Sequence, residues 1–142
     1  MQNKIEILLV EDNNGDVWLT KEAFKDSDKN INIEVVVDGE QALEYLQKRA
    51  PYEQRVKPDL ILLDLNLPKW DGREVLKKIK SDDELKHIPV IVLTTSNAQH
   101  DVRSCYGSHA NCFITKPVDY DSFFEIIKNI ETFWLNTAVL PR

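Results

Sequence analysis

The chain has 142 residues, with 18 Lys and Arg against 24 Asp and Glu, a formal net charge of −6 and 42% apolar residues. A chain of that length forms one domain that loses roughly 70% of its unfolded surface on folding, and its composition excludes both a disordered polymer and a membrane protein. The acidic balance excludes a broad nucleic-acid footprint, because such binding draws most of its affinity from neutralised phosphates.

Along the chain, short β-branched runs alternate five times with longer amphipathic segments. Ile5 to Val10 is the first expected strand, and Val17, Thr20, Ala23 and Phe24 then fall on one helical face, with Asn14 or Asp16 as the candidate cap. Ile31 to Val37 is the second strand; Gly39 breaks the chain before a helix from Glu40 to Lys48 that carries Ala42, Leu43 and Leu46. Arg49 to Lys57, with Pro51 and Tyr52, is irregular and is expected to be a surface loop. Leu60 to Leu63 is apolar throughout, as in a central parallel strand covered on both faces. Val75, Leu76 and Ile79 mark the third helix, Val90 to Leu93 the fourth strand, Ala98 to Tyr106 a weaker helix and Cys112 to Thr115 the fifth strand. Asp119 is the candidate cap of the last helix, whose inward stripe is Phe123, Ile127, Ile130 and Trp134.

Strict β-α alternation implies an α/β fold, a doubly wound five-stranded parallel sheet with right-handed crossovers. The whole chain, 1–142, is expected to be one domain with its core at about 4–135 and a short extension at 136–142. The longest apolar runs are about four residues against the roughly 20 needed to span a bilayer, and Met1 to Glu6 holds no signal-peptide core. Two cysteines, Cys105 and Cys112, form no disulfide framework or zinc spacing and read as reduced structural residues. A cytoplasmic protein is expected.

In open α/β sheets, ligands bind beyond the carboxyl ends of the strands. Those ends carry Glu11 and Asp12, then Asp64 and Asn66, then Thr94, Thr95 and Ser96, then Lys116 and Pro117. Clustered carboxylates favour protons or a hard cation such as Mg²⁺. A carboxylate can also be the nucleophile that forms an acyl phosphate, while a lysine and a hydroxyl supply the charge and donor that phosphoryl transfer needs.

Leu9-Val-Glu-Asp-Asn13, Asp64-Leu-Asn-Leu-Pro68, Asp71-Gly72, Leu93-Thr-Thr95 and Phe113-Ile-Thr-Lys-Pro117 resemble the motifs of the response-regulator receiver domain, in that family's order. The resemblance implies a flavodoxin-like (βα)5 fold with strand order 2-1-3-4-5. It implies Asp64 as phosphoacceptor, and Glu11, Asp12, Asp64 and the main chain of Asn66 as the Mg²⁺ set. It further implies Thr94 as switch hydroxyl, Phe113 as switch aromatic, Lys116 as the phosphoryl contact, Ser96 as a residue tuning the lifetime of the phosphorylated state, and a cis bond before Pro117. The sequence departs from the common pattern at Phe113, where tyrosine is frequent, at Trp70 and at Thr95.

The loop at 49–57, the Asn13 to Val17 segment and the Phe133-Trp-Leu135 ending resemble the single-domain regulators paired with cyanobacterial phytochrome kinases. That likeness implies a sensor histidine kinase of phytochrome type as partner. With no second domain following, output is expected through protein contacts, and the apolar Phe124, Phe133, Trp134, Leu135, Val139 and Leu140 either fold back over the domain or build a homodimer through the last helix and tail. The alternatives are a phosphatase of the haloacid-dehalogenase class and a receiver-like scaffold that is never phosphorylated. The first lacks its usual second aspartate, because Asn66 stands two residues after Asp64; the second does not account for an intact Asp12, Asp64, Thr94 and Lys116 set.

Overall fold

A computed structural model describes residues 4–142. Strands β1 (Ile5–Val10), β2 (Ile31–Val36), β3 (Leu60–Leu63), β4 (Val90–Thr94) and β5 (Cys112–Thr115) alternate with helices α1 (Asn14–Lys25), α2 (Gly39–Leu46), α3 (Gly72–Ser81), α4 (Gln99–Gly107) and α5 (Tyr120–Ile130). All strand pairs are parallel and the order is β2-β1-β3-β4-β5, the arrangement that the receiver-domain resemblance implies.

Successive strand residues point to opposite faces, and each face has its own core. Leu8, Val10, Ile61, Leu63, Val90 and Val92 meet α2 and α3, while Ile7, Leu9, Leu60, Leu62, Ile91 and Leu93 meet α1 and α5. Residues of β3 and β4 are buried on both faces, which explains why they lack polar alternation. Each such buried Leu, Ile or Val contributes about 1.5–3 kcal/mol relative to exposure.

Local chemistry sets the helix starts. The cap of α1 is Asn13, whose Oδ1 accepts the Asp16 N–H at 2.9 Å, rather than Asn14 or Asp16, whose positions lie within the helix. Asp38 caps α2 by accepting the Gln41 N–H at 2.7 Å; this stops Gly39 from acting as a breaker and makes it the first helical residue. Asp119 caps α5 through the Ser122 N–H, as its position predicts.

The irregular regions bring one correction, at the end of α5, and one refinement, since the expected surface loop at 49–57 is exposed apart from Tyr52. Beyond Ile130 the helix widens into a π-helical segment, Glu131–Thr137, closed by the Ala138 N–H donating to the Phe133 carbonyl at 2.6 Å. With five residues per hydrogen-bonded turn, Leu135 rather than Trp134 follows Ile130 into the core; Trp134 is half-buried and Phe133 is 53% exposed. The loop at 49–57 is pinned to the domain: Tyr52 packs on the core with its ring 5.4 Å from that of Tyr45, and Lys57 Nζ donates to the Glu84 carbonyl at 2.9 Å. The tail folds back over its own domain, where Arg142 donates to Asp59 Oδ1 at 3.2 Å and to the Lys4 carbonyl at 2.8 Å.

Candidate functional site

Main-chain rungs carry the sheet one residue past its strands and so align the side chains that matter. The Glu11 N–H donates to the Val36 carbonyl at 3.0 Å, the Asp64 N–H to the Val10 carbonyl at 3.1 Å and the Lys116 N–H to the Thr94 carbonyl at 2.7 Å. Glu11, Asp64 and Lys116 therefore emerge side by side from one edge, all buried. Gly72, the first residue of α3, lets that helix sit against the backbone of Asp64 and Leu65; a Cβ there would lie 2.6 Å from the Leu65 Cα.

Lys116 Nζ is the hub. It donates to Glu11 Oε1 at 2.6 Å, to Asp16 Oδ2 at 2.8 Å and to Asp64 Oδ2 at 3.2 Å. Glu11, Asp12 and Asp64 each offer a carboxylate oxygen within 4.8 Å of the others, Asp12 from an exposed position. Three carboxylates thus contact one ammonium, and a fourth, Asp12, lies close to two of them. Burial pushes the Glu11 carboxyl up to about 7, against the hydrogen bond and charge of Lys116 that lower it. Burial alone would depress Lys116, but its hydrogen bonds to Asp16 and Glu11, and the charges of Glu11 and Asp64, hold its ammonium above the ordinary lysine value.

The oxygen-only donor set, short of positive charge, fits a hard divalent cation. Asn66 is exposed beside it, and its main-chain N–H donates to Asp64 Oδ1 at 3.2 Å. Thr94 is fully buried and its Oγ1 has no hydrogen-bond partner. A buried hydroxyl left in that state costs about 1–3 kcal/mol.

The structure therefore brings together Glu11, Asp12, Asp64, Asn66, Thr94 and Lys116. Phe113 stands apart from that cluster: it is half-buried against the α2/α3-side core, and its N–H donates to the Tyr106 hydroxyl at 3.1 Å. Trp70 lies on the β3–α3 loop with Lys78 Nζ 5.2 Å from its ring centroid. The expected cis bond before Pro117 is absent: the only cis peptide among the described residues is Ala50–Pro51, and the trans chain already delivers Lys116 to its carboxylates.

Sequence reading missed two features. Asp16 looks like a helix-capping residue, yet its carboxylate is a ligand of Lys116; its place one turn beyond Glu11 and Asp12 is the only signal. Arg73, Asp101 and Ser96 form a charged network beside the site that no spacing announces.

A family model described as the response regulator receiver domain matches residues 7–128. The chain is 47% identical over 135 residues to the response regulator Rcp1 of Synechocystis sp. (strain ATCC 27184 / PCC 6803 / Kazusa), a match covering 95% of this chain and 92% of that protein. Its structure is similar to that of the phosphorylated cyanobacterial phytochrome response regulator RcpA, with a TM-score of 0.97 and 49% identity over 99% of this chain and 100% of that one. It is also similar to the Mn²⁺-bound form of Rcp1, with a TM-score of 0.95 and 46% identity over 97% and 99% of the two chains.

Proposed function

Because this chain belongs to the response regulator receiver family, we propose that Asp64 accepts a phosphoryl group from a partner histidine kinase and that the resulting phosphoaspartate switches a protein-binding surface. The observation that carries this reading is one sheet edge holding Asp64 in contact with Lys116 while the buried Thr94 hydroxyl stands unpartnered.

An Asp64 carboxylate oxygen attacks phosphorus; the phosphorus–nitrogen bond to the donor imidazole breaks, and the leaving nitrogen takes up a proton. Asn66, through its main-chain N–H, and Lys116 hold the two Asp64 oxygens in place before attack. Glu11, Asp12, Asp64 and the main chain of Asn66 are the residues that would hold Mg²⁺, whose positive charge stabilises the transferring phosphoryl oxygens. The Mn²⁺-bound form of the relative Rcp1 supports a divalent cation in this reading.

The product adds roughly 1.5 to 2 negative charges and three acceptor oxygens. Lys116 pairs with one of these oxygens, and Thr94 gains the acceptor it lacks by moving toward Asp64. That movement opens space for Phe113 to turn inward, which changes the surface of α4, β5 and α5 that a partner reads. Asn66, which cannot act as a general acid, speaks against the dehalogenase-type hydrolase.

The relatives' phytochrome association supports a phytochrome-type kinase as donor. Residues 1–142 act as one receiver unit in this reading, and the free Cys105 and Cys112 suit the reducing cytoplasm. Among the described residues, no helix is long and apolar enough to cross a membrane. A homodimer through α5 and the tail is supported by exposed Phe133, which lines an apolar cavity of about 400 Å³ together with Ile114, Ile130 and Trp134, and by exposed Val139 on the tail.

The test of the acceptor is Trp70 fluorescence on adding beryllofluoride and Mg²⁺ to wild type and to Asp64→Asn. A saturable change in wild type alone is expected; an equal response from both removes Asp64 from the mechanism.

A further inference from the structure

The β4–α4 loop, which follows Thr94, is held by side chains that phosphoryl transfer itself does not use. The Asp101 carboxylate, on the first turn of α4 and only 4% exposed, accepts from Arg73 Nε at 2.8 Å through Oδ1. Its Oδ2 accepts from Arg73 Nη2 at 2.8 Å and from the Ser96 hydroxyl at 2.5 Å. On its other side the Arg73 guanidinium donates through Nη1 to both oxygens of Asp71, the cap of α3, at 3.0 and 3.1 Å. Charge-assisted bidentate pairs of this kind are the strong members of their class and fix geometry as well as adding energy.

The two ends of this chain of contacts are tied to the two loops that must converge on a phosphoryl group. Arg73 directly follows Gly72, whose backbone abuts that of Asp64 and Leu65, so one end is anchored to the acceptor's own main chain. Ser96 lies two residues past Thr94, and its carbonyl also accepts the Thr115 hydroxyl at 3.2 Å, next to Lys116. Ser96 is thus held by both α4 and β5. Thr94, two residues away, has no side-chain bond at all. Ser96 and its partners hold the loop, while Thr94 is held through its main chain alone, its carbonyl accepting the Lys116 N–H at 2.7 Å.

We propose that Asp101, clamped between Arg73 and Ser96, is a positioning residue that fixes the loop after Thr94 and so sets how readily the phosphorylated state forms. This rests on the reading of Asp64 as acceptor and of Thr94 as the hydroxyl that closes on it. Drawing Thr94 toward Asp64 pulls residues 95 and 96 with it, and a 2.5 Å bond from Ser96 to a buried carboxylate leaves little slack. Releasing the clamp frees residues 95 and 96 to follow Thr94 and enlarges the fraction competent to close, and apparent affinity follows that fraction.

The experiment is a beryllofluoride titration of the full chain at saturating Mg²⁺, read by Trp70 fluorescence. Asp101→Leu leaves Arg73 paired with Asp71. The double variant Arg73→Met/Asp101→Leu removes both charges, which avoids a lone buried ion. Both are expected to lower the half-saturating concentration by about three- to tenfold. Ser96→Ala should move it in the same direction, whereas Ser96→Thr, which keeps the hydroxyl, should return it to the wild-type value. If α3 and α4 were merely tied together, the melting temperature would fall and half-saturation would stay put. Unchanged or weakened affinity in both Asp101 variants overturns the clamp while leaving Asp64 as acceptor. A wild type that gives no response, or an Asp64→Asn variant that responds equally, overturns the acceptor reading and the clamp with it.

Discussion

Lys116 is the residue on which the site's resting electrostatics turn. Its ammonium is the only cation in contact with Glu11, Asp16 and Asp64 among the described residues, and removing one partner of a buried ion pair typically costs about 3–5 kcal/mol. Urea unfolding of metal-free Lys116→Ala should show a loss of about that size, with part of it regained on adding Mg²⁺; a variant as stable as wild type would contradict the central role given to this lysine. Asp101 supplies a pH test. Its hydrogen bonds from Arg73 and Ser96 hold it well below the ordinary carboxylate value of 3.8. A carboxyl with a depressed folded pKa contributes stability that is fully present above the unfolded value and is lost as pH falls through the folded one. Arg73 and Asp71 face this group, as does His100, whose Nε2 is 3.5 Å away. The stability gap between wild type and Asp101→Leu should therefore be constant above about pH 5 and shrink below 3.8; a gap that grows on acidification would refute the assignment. At this scale the sequence displays Glu11, Asp12, Asp64, Thr94 and Lys116 because strand ends are readable from apolar runs. It hides Asp16 and Asp101 because a first-turn acid on a helix has an ordinary capping explanation that needs no distant partner.

Among the elements, the strands are readable because β-branched runs have few other uses, and β3 and β4 are the clearest, being buried on both faces. The end of α5 is the instructive miss. Regular 3.6-residue spacing carries Phe123, Ile127 and Ile130 inward and then nominates Trp134, but the π-helical segment shifts the phase, burying Leu135 and leaving Trp134 half-buried against the same core. Nothing in residue types alone marks a change from four- to five-residue hydrogen bonding. The consequence is testable by chemical denaturation. Leu135→Ala should cost about 2–5 kcal/mol as a core truncation, while Val139→Ala, at a position 95% exposed, should stay within about 0.5 kcal/mol. A smaller loss for Leu135→Ala than for Val139→Ala would contradict this placement of Leu135. The α1 cap is a smaller case of the same kind: Asn13, Asn14 and Asp16 are all acceptable capping types, and only the backbone geometry selects Asn13.

For the molecule as a whole, β-α alternation establishes a parallel sheet, but the strand order that brings four strand ends into one site follows from the receiver likeness rather than from periodicity. The same topology leaves α5 and the π-helical segment on one flank, with Phe133 53% and Val139 95% exposed, although the tail also folds onto its own domain through Arg142. Sedimentation at tens of micromolar, a range chosen to bracket roughly micromolar affinity, should reveal dimer with beryllofluoride and Mg²⁺; monomer alone in both states would remove the dimer. The central claim, that Asp64 carries the phosphoryl group, is tested most directly by intact-mass measurement after incubation with acetyl phosphate and Mg²⁺. Wild type should gain the mass of one phosphoryl group and Asp64→Asn none, whereas equal incorporation in the two proteins would contradict the account.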